Sequence, residues 1–199
     1  MRRGARTRGR GATPAGVCLS LVASLLATAC GPSPTAPRPP PPPPPPPPAV
    51  ITFTPESPTP GTNVIDLRLM SSTASELALT LDASMVADLF GYGLDLLYDP
   101  AAIAFGGFEP ATFLDGEGII VTILVSEPQP GTVVIGQSRV GAVAGANGSG
   151  TMLVLRFTAV APGRSTISID NAGAFDSTGA EIAVEFFGGD VTVPETSGQ

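Results

Sequence analysis

Histidine, lysine and tryptophan are all missing from these 199 residues, and cysteine occurs only twice. Without histidine there is no Ser–His–Asp or Cys–His site, no His-ligated zinc, and no imidazole base working near neutral pH. A carboxylate pair remains available in principle, as in glycoside hydrolysis. However, no tryptophan is present to stack a sugar ring, and no two acids are singled out as convergent. The sequence is therefore read as non-catalytic, with no cofactor and no metal site of its own. Its 10 basic residues are all arginines, and five of them (Arg2, Arg3, Arg6, Arg8, Arg10) precede the first apolar run. From residue 30 onward 5 basic residues face 17 acidic ones, a balance of −12. Nucleic-acid binding needs clustered positive charge, so that partner class is excluded. With 24 glycines and 23 prolines, long helices are disfavoured and short punctuated strands favoured.

The arginine-rich start leads into Ala15–Ala27 (AGVCLSLVASLLA), an apolar run closed by small residues. It is shorter than the roughly 20 apolar residues that span a bilayer. Residues 1–29 are read as a signal peptide of the general export route. Leu26-Ala27-Thr28-Ala29-Cys30-Gly31 resembles the lipobox of bacterial lipoproteins, with Ala27 in place of the usual leucine. That resemblance implies lipidation at Cys30, export, and a membrane attachment through the anchor alone. Gly31 resembles the outer-membrane sorting pattern of cells with two membranes. The other cysteine, Cys18, lies inside the apolar run, so Cys30 has no disulfide partner in the exported chain. Residues 30–52 are read as anchor and linker. The unbroken prolines Pro39–Pro48 have only polyproline II open to them, making a post of roughly 30 Å.

Residues 53–194 read as one β domain, with 195–199 as a tail. Period-two or apolar runs mark strands at Val64–Met70, Glu76–Leu81, Phe90–Tyr98, Ala102–Phe108, Ile119–Val125, Thr132–Arg139, Thr151–Val160, Ser165–Asp170, Glu181–Phe187 and Asp190–Val193. Ser84–Asp88 reads as a connector. Phe113-Leu114 reads as an exposed apolar pair, and Ile119–Val125 as a strand buried on both sides. Asn147-Gly148 reads as a hairpin turn. The most informative strand is FGYGLDLLYDP, Phe90–Pro100. Phe90, Tyr92, Leu94, Leu96 and Tyr98 make one face apolar, while Gly91, Gly93, Asp95 and Leu97 leave the other low. Asp99 is expected to cap the turn that ends the strand. Tyr92 and Tyr98 are expected in the core with satisfied hydroxyls. Gly91 and Gly93 serve either a bend or an accessible face.

FGYGLDLLYDPAAIAF, the Gly148-Ser149-Gly150-Thr151 turn before LVLRF, APGRSTISI and DSTGAEIAV occur in the order and spacing of the cohesin domain family. From about Val64 to Val193 the chain resembles that family. The resemblance implies an all-β, nine-stranded jelly-roll sandwich, an architecture shared with certain carbohydrate-binding modules. It further implies a non-catalytic module that binds a dockerin-like domain, with the calcium carried by the partner. The candidate partner face that it implies comprises Gly91, Gly93, Asp95, Leu97, Gly136, Ser138 and Arg139. These positions are mostly small where relatives carry Asp and Asn side chains. A carbohydrate-binding module acting on polysaccharide, and a structural envelope lipoprotein, stay open beside this reading.

Overall fold

A computed structural model describes residues 40–44, 47, 49–57, 59 and 61–195. The chain divides into two units, Met1–Pro44 and Pro45–Gln199. Of the first, residues 40–44 are described and exposed. The signal-peptide reading and Cys30 lie outside the described residues.

The second unit is all-β: β1 (Thr52–Pro55), β2 (Val64–Ser72), β3 (Glu76–Leu89), β4 (Gly91–Leu97), β5 (Ile103–Pro110), β6 (Ile120–Gln129), β7 (Thr132–Val140), β8 (Ala146–Ala159), β9 (Gly163–Phe175), β10 (Glu181–Ile182), β11 (Glu185–Phe187) and β12 (Gly189–Val193). One sheet runs β1-β12-β9-β4-β7-β6, with β10 paired to β9, and the other runs β11-β2-β3-β8-β5. They pack as a sandwich. Among the described residues the count is twelve strands rather than nine: β1 adds to the ten expected runs, and the expected strand Glu181–Phe187 changes sheets partway. Its first two residues pair antiparallel with β9, and its last three pair parallel with β2.

The core follows from alternation. On β3 and β8 the inward side chains stand opposite one another as Leu77–Phe157, Leu79–Leu155 and Leu81–Leu153. All six are buried. From the other sheet, Tyr92, Leu94, Leu96, Val133, Ile135, Ile167 and Val191 close on them. The Phe157 ring meets Tyr98 edge-on at 5.5 Å and Phe105 at 5.7 Å, geometries that add to the area buried.

Four local expectations are corrected. Ser84–Asp88 is not a connector: β3 runs through it to Leu89. Met85 and Asp88 adopt left-handed φ of 49° and 53° there, and the register against β8 slips on either side of Val86. The freed amides are taken up by β8, Met85 N–H donating to Ser149 Oγ (2.8 Å) and Asp88 N–H to Asn147 Oδ1 (3.0 Å). Asn147-Gly148 is thus part of a strand facing two bulges, not a hairpin turn. Leu114 is fully buried and Phe113 packs on the core, so that pair is not exposed. Ile119–Val125 is not buried on both sides either. β6 ends its sheet, and Ile120 and Leu124 remain 68% and 57% exposed.

On the second sheet's outer side, Asp66 stands opposite Asp82 in the β2–β3 register. Asp66 is buried and ion-pairs through Oδ2 with Arg68, while Asp82 Oδ2 accepts from Thr80 Oγ1 at 3.0 Å. The Oδ1 atom of each is buried without a hydrogen-bond partner. Burial raises the Asp66 pKa, Arg68 offsets part of that, and the Asp82 charge raises it further. A raised carboxyl favours the fold while it is protonated. This contribution is therefore complete below the unfolded value of about 4 and is lost as pH rises through the folded value. Asp82→Asn removes the like charge and supplies a donor. It is expected to raise stability near neutral pH by about 1 kcal/mol and to flatten the loss with rising pH, read from urea unfolding across that range.

Candidate binding face

Tyr92, Leu94, Leu96 and Tyr98 anchor β4 by its inner side. Tyr92 Oη donates to Gln137 Oε1 at 3.0 Å, deep enough that burial drives the phenol pKa far upward. Tyr98 Oη donates to Glu127 and accepts from Phe105 N–H at 3.1 Å. Burial and then the Glu127 bond raise its pKa too. Both tyrosines are core residues with satisfied hydroxyls. The strand ends as expected, with Ala101 N–H donating to Asp99 Oδ1 at 2.9 Å.

The opposite side of β4 lies mid-sheet between β7 and β9, and its register lays the face out in rows. Thr122, Ser138, Gly91 and Phe175 form the first. Leu124, Gly136, Gly93 and Gly173 form the second, and Ser126, Val134, Asp95 and Asp170 the third. The glycines differ in kind. A Cβ on Gly91 would stand 2.9 Å from Ser138 Oγ and 3.1 Å from the Gln137 carbonyl, so the close approach of β7 requires glycine. At Gly93 the nearest atom would be 3.8 Å away, at Gly136 3.9 Å and at Gly173 3.6 Å. Sterics do not demand those three, and none has a left-handed φ. Their effect is a strip of bare backbone across three strands.

Leu124 and Phe175 stand at either side of this strip, and the result is a trough of about 590 Å³ lined also by Phe90, Thr122 and Thr178. Its lining carries one charge, Asp176, which is already engaged. That carboxylate accepts from Thr178 Oγ1 (2.7 Å), Thr178 N–H (2.8 Å) and Ala180 N–H (2.9 Å), which hold it below the usual carboxylate range. Asp88 ties the same loop down by accepting from Ser177 Oγ (2.7 Å) and Gly145 N–H (2.6 Å), and its pKa is lowered for that reason. The end wall of the trough is therefore built rather than loose.

Of the residues expected on the face, Gly91, Gly93, Asp95, Leu97, Gly136 and Ser138 share it. Asp95 accepts from Asn171 Nδ2 at 2.7 Å, across a β9 bulge where Asn171 takes a φ of 46°. Arg139 does not share it. Alternation turns its side chain to the other side of β7 from Ser138, where Nε donates to the Leu114 carbonyl (2.9 Å) and Nη1 to that of Ala144 (2.5 Å). It clamps two loops. Leu124, Gly173, Phe175 and Asn171 belong to the face and were missed. The Gly173/Phe175 alternation was the available signal for two of them.

No family model matches the sequence, and no curated protein does. Solved structures do match. A type II cohesin domain from the cellulosome of Acetivibrio cellulolyticus superposes with a TM-score of 0.55 at 16% identity, over 68% of this chain and 98% of that one. A cohesin from Clostridium acetobutylicum gives 0.55 at 16%, over 68% and 94%. The sixth cohesin of scaffoldin B from A. cellulolyticus, solved with a dockerin, gives 0.51 at 11%, over 63% and 95%. The fold is that of a cohesin domain. In this chain the middle row of the face is glycine on three adjacent strands.

Replacing Gly93 with valine is expected to leave the stability from urea unfolding within about 0.5 kcal/mol of the parent, because the Cβ meets only an ordinary van der Waals contact with the Ile135 carbonyl. Gly91→Val drives β4 and β7 apart and is expected to cost about 1–3 kcal/mol. Equal effects at the two sites would contradict the distinction drawn between them.

Proposed function

We propose that this chain is a non-catalytic, surface-tethered binding module whose β9-β4-β7-β6 face docks a dockerin-like protein domain. The observation that carries the reading is the glycine-floored trough at the centre of that face, whose one charged lining residue, Asp176, is already engaged, on a fold shared with a cohesin solved in a dockerin complex. Relatives of that kind supply the partner class. The calcium belongs to the partner in this reading, and among the described residues no group of three or more metal-ligating side chains occurs. With Gly93, Gly136 and Gly173 on the cohesin side, the partner supplies the bulk. Large apolar side chains enter between Leu124 and Phe175, where they leave water without stranding a polar group.

Lipidation at Cys30 and the Pro39–Pro48 post fit this role. A proline spacer of roughly 30 Å serves to hold a binding module away from the membrane that its lipid enters. The polysaccharide-binding alternative draws support from one feature, the Phe175 ring, 44% exposed beside the glycine strip.

The test is retention of secreted proteins of the source organism on the purified full chain, with and without calcium. Calcium-dependent capture of a protein bearing duplicated Asp/Asn-rich loops, lost at least tenfold in Gly93→Arg, is the expected result. Retardation by polysaccharide in affinity electrophoresis without any such capture would transfer the site to the glycan reading. For the anchor, labelling with a radioactive fatty acid is expected in the parent and absent in Cys30→Ser. Equal labelling of both would remove the lipid from the proposal.

A further inference from the structure

Composition and position disagree in β6. Ile119–Val125 (IIVTILV) carries no charge at all, in a chain whose balance beyond residue 30 is −12. Such a run is expected between two other strands. Yet β6 pairs with β7 along one side only and closes its sheet. From Ile120 to Ser126 the pairing with β7 is regular, and the only irregularity falls between Ser126 and Gln129. Edge strands are ordinarily guarded by lysine, proline, an inward charge or a bulge. None of these occurs between Ile119 and Ser126, and Glu127 and Pro128 come only afterwards. The free edge therefore presents a row of backbone N–H and C=O groups with no strand beside them, a template that a second strand fits along its length.

The side chains specify which strand. On the outer face Ile120 and Leu124 are 68% and 57% exposed, with Thr122 between them also exposed. On the inner side Val121, Ile123 and Val125 are only half-buried, packed at the open margin of the core. Consider antiparallel pairing of this strand with itself about a two-fold axis at Thr122. Ile120 then stands opposite Leu124 twice on the outer face, and Val121 opposite Ile123 twice on the inner. Every apolar side chain meets another of its own face. A slip of one residue would put outer side chains against inner ones, so the register is specified by the strand itself. Within Ile119–Val125 self-pairing brings no charges together; the first to meet lie beyond the run at either end, where Glu117 faces Glu127, whose carboxylate already accepts from Tyr98.

We propose that β6 pairs antiparallel with β6 of a second copy, joining the two seven-stranded sheets edge to edge. The pairing uses the free edge and leaves the β4 strip exposed, so two troughs share one continuous sheet. Thr122 and Leu124 border both the edge and the trough, so association is read without any trough ligand present.

The experiment is sedimentation equilibrium of the full chain in mild detergent, with Thr122→Lys, Thr122→Glu and their equimolar mixture. Thr122 is exposed, so both variants are expected to keep the parental circular dichroism and urea midpoint. The parent is expected to associate reversibly towards twice its monomer mass. Each variant alone places two like charges opposite one another and is expected to stay monomeric. The mixture places the introduced ammonium of one copy against the introduced carboxylate of the other and is expected to return the dimer. A parent that is monomeric at every concentration, a dimer that survives both substitutions, or a mixture that stays monomeric would overturn the proposal.

Discussion

The contact on which the rest depends is the closure of β4 over the β3–β8 ladder. Leu77–Phe157, Leu79–Leu155 and Leu81–Leu153 form a continuous apolar surface on one sheet, and Tyr92 to Tyr98 form its counterpart on the other. Burying a side chain of this size contributes about 1.5–3 kcal/mol, so a dozen such groups dominate the favourable side of folding. The tyrosines enter that surface without stranding their hydroxyls, because Gln137 and Glu127 accept from them. Since β4 is held through its inner side, nothing structural is required of its outer side beyond the close approach at Gly91. That freedom is what allows Gly93, Gly136 and Gly173 to stand in register with no side chains.

The sandwich also explains why the trough is shaped rather than merely flat. Its floor is backbone already hydrogen-bonded within the sheet, so it needs no further polar partner. Its walls come from two sources, an edge strand that leaves Leu124 outward and a β9 end that leaves Phe175 outward. Asp88 and Asp176 fix the intervening loop by accepting from Ser177, Thr178, Gly145 and Ala180. A preformed cleft of this kind spares a partner the cost of ordering it.

Regular alternation was readable wherever both sides of a strand differ. The inward set Leu153, Leu155 and Phe157 and the anchored tyrosines follow from period two alone. Ser84–Asp88 was not readable, because its bulges are stabilised by Ser149 and Asn147, which lie 64 and 59 residues away. Nor was the edge position of β6, since composition reports hydrophobicity and says nothing about strand order. On the face, small residues announced Gly91, Gly93 and Gly136. Gly173 and Phe175 share a side by alternation, but a register that spans four strands is what brings them and Leu124 to this face. Arg139 is a different lesson. Gly136 and Ser138 differ by two positions and share a side, so Arg139 could have been set aside by alternation.

The apolar character of β6 and the bareness of β4 are two aspects of one arrangement. Leu124 belongs to both, as a wall of the trough and as part of the free edge. A sheet that ended in a charged strand would give the trough a polar rim on that side and would repel a second sheet. Ending in IIVTILV does neither. The same strand thus keeps charge off one flank of the glycine strip while its own outer edge has no strand beside it. The acidic residues Asp95 and Asp170 are confined to the next row, beyond the trough. On the proposed docking reading, Asp95 and Asp170 would lie beside an inserted apolar side chain rather than against it. Basic groups flanking that side chain are the complement such a row favours.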